Sequence, residues 1–158
     1  MRKRKIYSLV AVTVASLSAN CFADPFALTS GGEHGLVILD MDMITKDSRH
    51  SIVWETKLLV KPVTVNGQRL QVIKTQLKID CDLRTIQRVY IIGKTDNDGW
   101  SAGSYMNEHP RPVVPDSSDT DTKRLACEGA SSTDVMFEDM AHAERTFADL
   151  RVKDGLKD

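Results

Sequence analysis

Cysteines, aromatic residues and long apolar runs are all scarce in this chain, and each shortage narrows what it can be. Three cysteines in 158 residues cannot build a dense disulfide scaffold. Beyond the first two dozen residues no apolar stretch approaches the roughly twenty that a membrane-spanning helix needs, so no integral span is expected. Basic and acidic residues nearly cancel, 21 against 22, which removes the electrostatic footprint of a nucleic-acid binder.

Catalytic signatures are missing too. Ser101, Ser104, Ser117 and Ser118 stand outside G-x-S-x-G and S-x-x-K contexts, so an acylating serine is not supported. Gly31-Gly32 precedes a strand pattern, whereas a phosphate cradle needs its glycines after a strand and before a helix. His34, His50, His109 and His142 are scattered, without metal-ligand spacing. Asp40 and Asp42 would share one side of a strand, but with no third partner they read as strand-end acids rather than an acid/base pair. Thr95 to Gly99 resembles part of a calcium loop, yet with Gly99 at the sixth position Lys94 and Tyr105 would fall where ligands belong, so a hairpin turn is expected. The expectation is a protein without cofactor, metal site or enzymatic activity.

What is present begins with Met1-Arg2-Lys3-Arg4-Lys5 and the apolar stretch Ile6 to Leu17, closed by Asn20, Asp24 and Pro25. That is the pattern of a cleavable secretory signal over residues 1–23, with Ala23 as the cleavage point. Acylation at Cys21 is the competing reading, although Ser18-Ala19-Asn20 is a poor lipidation context. Export places the remainder, 24–158, in the periplasm, at the outer-membrane surface or in the medium. Taking four basic residues and no acid from the totals leaves 17 basic against 22 acidic, a net charge of −5. A chain of that size supports one domain, with a core over about 35–130 and an extra C-terminal helix over about 134–151. Cys81 and Cys127 are then an even pair in an oxidising compartment, which argues for a disulfide against two free thiols.

Period-two patterns fill the middle of the chain. Asp24 to His34 reads as an extended lead-in and Gly35 to Leu39 as the first strand. From Ser51, Ile52, Trp54, Thr56, Leu58 and Val60 form a face expected to be buried, with Glu55, Lys57 and Lys61 on the wet face. Asn66-Gly67 supplies the positive φ values of a tight hairpin, after which Ile73, Thr75, Leu77, Ile79 and Cys81 alternate with Lys74, Gln76, Lys78 and Asp80. Ile86 to Gly93 is a further strand. If the turn sets the outward faces side by side, Lys57, Lys61, Lys74 and Lys78 make a basic patch that would suit a polyanion or a matrix protein; plain solubilisation of an exposed face is the alternative. Residues 107–123, with Pro110, Pro112, Pro115 and the polar run Asp116 to Thr122, read as a long loop. A helical turn over Lys123 to Cys127 would end at Gly129, and Asp134 would cap a last helix striped by Met136, Met140, Ala143, Phe147 and Leu150.

Across Ser51 to Gly129 the order of features is Trp54 in an alternating strand, a hairpin, Ile79-Asp80-Cys81, Tyr90-Ile91-Ile92-Gly93, Trp100, a proline-containing stretch and Cys127. This order resembles the surface-adhesin protein E family of bacteria. The resemblance implies an α+β fold, a curved antiparallel meander with a C-terminal helix tied to it by a Cys81–Cys127 disulfide. In some members of that family it also implies adhesion to host extracellular-matrix proteins. The functional expectation is a non-enzymatic exported binding protein with a protein or matrix partner; a periplasmic inhibitor or immunity protein that uses 107–123 as its plug is the alternative.

Overall fold

The computed structural model describes residues 25–32, 34–65, 67–95 and 99–153, the side chains of 152 and 153 excepted. The expected signal over 1–23, with Cys21 and Ala23, lies outside the described residues, as do Asn66 of the hairpin turn and 96–98 of the calcium-like segment.

Among the described residues, eight strands and two helices follow one another as β1 (Phe26–Gly32), β2 (Gly35–Asp47), β3 (His50–Val65), β4 (Gln68–Asp80), β5 (Thr85–Thr95), β6 (Ser104–Tyr105), β7 (Arg111–Pro112), α1 (Ser118–Glu128), β8 (Met136–Phe137) and α2 (Met140–Lys153). The strands form one open antiparallel sheet in the order β6-β5-β4-β3-β2-β1-β8, with β7 also on β5. Neighbouring long strands are consecutive in sequence, so the sheet is a meander. The long strands carry the β-branched runs that suit a pleated surface. Between β3 and β4, Val65 pairs with Gln68 and Gly67 has φ 78°, a left-handed value that glycine adopts without steric cost.

Several expectations change. The lead-in is itself a strand, β1, which pairs with β2 from Phe26↔Asp40 to Gly32↔Gly35, and β2 runs on to Asp47 because Thr45, Lys46 and Asp47 pair with Ile52, Ser51 and His50 of β3. Only part of 107–123 is loop. Asp119 and Asp121 stand in the first turn of α1, where acids favour the positive end of the helix dipole, so the polar run starts a helix. That helix ends at Gly129 as expected, with φ 91° and its N–H donating to the Leu125 carbonyl. The last helix begins at Met140 rather than near Asp134. Met136 and Phe137 instead pair with Ala27 and Phe26, and Asp139 serves the helix start, accepting a 2.6 Å bond from the His142 N–H.

The larger correction concerns burial. A single wet face was expected, yet both faces carry a core. Ala27, Leu39, Val53, Leu77, Ile79 and Ile86 pack with Leu125 and Ala126 of α1. Leu36, Ile38 and Leu58 pack with Phe137 and with Ala143 of α2. Consequently β3 buries Ser51, Val53 and Glu55 on the α1 side and then Leu58 and Thr56 on the other, while Ile52 and Trp54 stay half-buried. Two helices on opposite sides of one sheet leave part of each face uncovered, and the uncovered part of the α2 face is where the site lies.

Candidate binding face

Cys81, just past the end of β4, and Cys127, in the last turn of α1, form the expected disulfide, with Cα atoms 5.9 Å apart. The bond fastens α1 to the sheet. Around it the Ser51 hydroxyl donates to the Ala126 carbonyl at 3.1 Å, and Lys46 Nζ reaches the Cys127 carbonyl at 3.1 Å. Both cysteines are committed to architecture.

Register decides the fate of the four lysines. Lys57 pairs with Ile73, and Lys74 with Thr56. Directly opposed residues point to the same side and successive residues alternate, so Lys57 and Lys74 stand on opposite faces. Lys57 lies on the α1 face, 3.5 Å from Glu55. Lys61 is exposed within the irregular stretch between Leu58 and Val63, where pairing with β4 is interrupted. The four-lysine patch is therefore not assembled. Lys74 and Lys78 do share the α2 face with Gln76 between them.

That face carries the aromatic residues. One cross-strand row runs Phe137, Phe26, Asp40, Trp54, Gln76, Tyr90, Tyr105 from β8 to β6. Helix α2 packs over its Phe137 end, and the Trp54–Tyr105 end is open. Trp54 meets Tyr90 edge-to-face at 6.1 Å between centroids, and Tyr90 meets Tyr105 at 5.0 Å. Such pairs add about 0.5–1.5 kcal/mol beyond burial. Trp100 joins the same face by bridging to Lys94, and Lys74 Nζ sits 5.5 Å from its ring centroid. Tyr105 is 84% exposed and Trp100 48%. Gly103 makes room for this cluster: a methyl group there would overlap the Tyr90 ring.

A bulge puts Tyr90 in place. Gln76 pairs with Tyr90 but Leu77 with Arg88, so Val89 is an extra residue on β5. Ile86 and Tyr90, four residues apart, therefore point to opposite faces, Ile86 into the α1 core and Tyr90 into the aromatic row. Sequence reasoning missed this row because it assigned Trp54 to a buried face. The scarcity of aromatics, set against both tryptophans and two tyrosines in the strand region, was the available signal.

The ionisable groups around the face and beneath α1 are set by burial and by pairing. Asp40, in the row, is pushed up from the ordinary carboxylate range by burial, and Met43 N–H donates to it at 3.2 Å. Glu55, beneath α1, is pushed up by burial, and receives the Thr122 hydroxyl at 3.4 Å. His50 lies 3.4 Å from Asp47 and 3.5 Å from Asp80, His142 packs on Phe137, and His34 and His109 are exposed. Of the acids in the polar run, Asp119 is paired with Arg111 and Asp121 lies 4.0 Å from Arg124. Thr95 and Gly99 are joined by main-chain and side-chain bonds of 2.8 and 3.0 Å. Among the described residues no group of three His, Cys, Asp or Glu side chains is placed to hold a metal ion. An open groove of about 530 Å³ lies at the other end of the sheet, bordered by Gly31, Gly32, Gly35, His34, Lys57 and Ser118.

The class defined by these features is an open antiparallel meander with a helix on each face. No family model matches the sequence, and no curated protein is similar to it. Among solved structures, that of Haemophilus influenzae protein E is similar at 15% identity and a TM-score of 0.47, over 61% of this chain and 82% of that one. Crystal form II of the same Haemophilus protein is similar at 13% identity and a TM-score of 0.47, over 67% and 94%. Among the described residues no helix is long and apolar enough to cross a membrane.

Proposed function

We propose that this chain is a non-enzymatic exported binding protein, and that its ligand, a matrix or cell-envelope component, docks on the open half of the α2 face. One observation carries the reading: Trp54, Tyr90, Tyr105 and Trp100 are gathered on a single uncovered surface with Tyr105 almost wholly exposed. Aromatic rings left in water cost solvation that a folded protein ordinarily avoids, and they concentrate at recognition surfaces because they offer large contact area at small entropic loss. The disulfide and the signal-like start support export; the order of motifs shared with the protein E adhesins supports adhesion. The inhibitor reading loses its plug, since 107–123 is strapped along β5 by Arg111↔Ile86 and Pro112↔Thr85 and then enters α1.

The test uses the oxidised secreted chain in solution against purified matrix proteins and against isolated envelope material. Saturable binding that falls when Tyr105 or Trp100 is replaced by alanine is expected. Binding to neither material, or binding indifferent to both substitutions, rejects the proposal.

A further inference from the structure

We propose that the ligand class of this face is a carboxylated glycan, stacked on Tyr105 and Trp100 with its acid group at Lys74. The inference rests on the binding-protein reading and names what that face selects. Three observations point the same way.

First, the exposed apolar residues of the open face are aromatic. The other exposed apolar residues are Met43 in the unpaired stretch of β2 after Asp40, Leu83 in the β4–β5 turn, Val63 and Val65 at the hairpin tip, and Val114, Val135 and Leu150 in or around the helices. A protein partner ordinarily needs about 800 Å² on each side with a packed apolar centre. A pyranose needs a ring face only, because its polarised C–H bonds lie against the negative π face of an aromatic ring.

Second, polar groups are interleaved with the rings at strand spacing. Gln76 separates Trp54 from Tyr90 in the row, and Lys74 lies one row over, opposite Thr56 and Ile92. Amide and ammonium donors beside the stacking rings can take hydroxyl oxygens of the same sugar.

Third, the charge of the face is positive where the rings are open. Lys74 Nζ is held at the Trp100 ring and Lys78 lies two positions beyond Gln76 on the same side. A quaternary ammonium ligand would meet Lys74 in the position it requires, so an aromatic cage for cations is ruled out. A carboxylate is the complementary group, and the acid of the row, Asp40, stands on the Phe26 side of Trp54, away from Tyr105.

The experiment measures binding of the intact oxidised chain to an array of hexasaccharides carrying glucuronate, sialate or N-acetylmuramate. Cellohexaose is the neutral control and hexaglutamate the acidic peptide control. At least one carboxylated glycan is expected to bind about tenfold or more tightly than both controls. Tyr105→Ala and Trp100→Ala each weaken that binding about tenfold, and Tyr105→Phe retains most of it. Lys74→Ala removes the preference for carboxylated over neutral sugar, whereas Lys57→Ala, on the opposite face, leaves affinity unchanged. Circular dichroism and thiol titration establish that each variant is folded and oxidised. An array with no carboxylated glycan bound above cellohexaose, or binding indifferent to Tyr105 and Trp100, overturns the proposal. If the array is blank while a matrix protein binds through Tyr105, the glycan class falls and the binding-protein reading stands. Loss of both removes both.

Discussion

Glu55 is an acid in a site that disfavours its charge. It is 6% exposed under α1, with Lys57 at 3.5 Å as partial compensation and Asp119 near enough to oppose ionisation further. Its folded pKa is raised above the unfolded value, so the folded form holds the proton more tightly. The stability this contributes is complete below the unfolded pKa, about 4.3, and is lost as pH rises through the raised folded value. Glu55→Gln keeps a group that can accept the Thr122 hydroxyl and removes the titration. The variant is expected to melt a few degrees above the wild type at pH 8, with the gap closing towards pH 4. An unchanged difference across that range in thermal melts would contradict the assignment. Asp134 works in the opposite sense. Bonds from Arg124 at 2.5 and 3.2 Å and from the Ser131 N–H at 2.6 Å lower it to about 2. Its contribution is present above the ordinary Asp value of about 3.9 and is lost as pH falls towards 2. Asp134→Asn therefore weakens the fold at pH 7 but adds little at pH 2, which urea titrations at the two pH values check. Asp40 and Asp134 are the same residue type yet shift in opposite directions, one through burial and the other through Arg124 and Ser131, so nothing in the residue type foretold which would be raised and which lowered.

At the scale of elements, the disulfide closes a loop with a sequence separation of 46 and ties α1 to the end of β4. In the chain-entropy model that is worth about 4 kcal/mol. Cys81→Ala is expected to lower unfolding free energy by about that much in denaturant titrations, and to free one thiol at Cys127. Gly103→Ala drives the Tyr90 ring out of its row at a cost of about 1–3 kcal/mol, the range for an overpacked site. Its near-ultraviolet dichroism should change together with its melting point; preserved aromatic signals would show that the methyl group is accommodated. The strands from Gly35 to Gly93 and the stop at Gly129 were legible, since period-two patterns and glycine turns are written locally. β1 was not, because Phe26 to Gly32 carries no sustained period-two pattern and becomes a strand by pairing with β2. The start of α2 moved for the same kind of reason: Met136 and Phe137 fit a helical stripe, but β1 offers them an edge to pair with.

For the whole molecule, the consequence of two cores is that neither face of the sheet is simply inside or outside. Helix α1 covers one face at the Ser51–Glu55 end of β3 and α2 covers the other around Leu58, so the aromatic row is exposed by what α2 leaves uncovered. Shortening the chain to remove α2 would expose Leu36, Ile38 and Leu58, and a truncated protein ending before Met140 is expected to aggregate on light scattering while keeping the disulfide. The sequence by itself determined the antiparallel meander, the tight turn at Gly67, the pairing of the two later cysteines and the lack of familiar catalytic motifs, all of which depend on residues near one another or on simple counting. Only the tertiary structure decided that Lys57 and Lys74 part company, that Val89 turns Tyr90 away from the α1 core, and that Trp54 belongs to an open row. Those outcomes follow from register and bulges, and in a sheet a slip of one residue exchanges the two faces, so no local pattern can specify them.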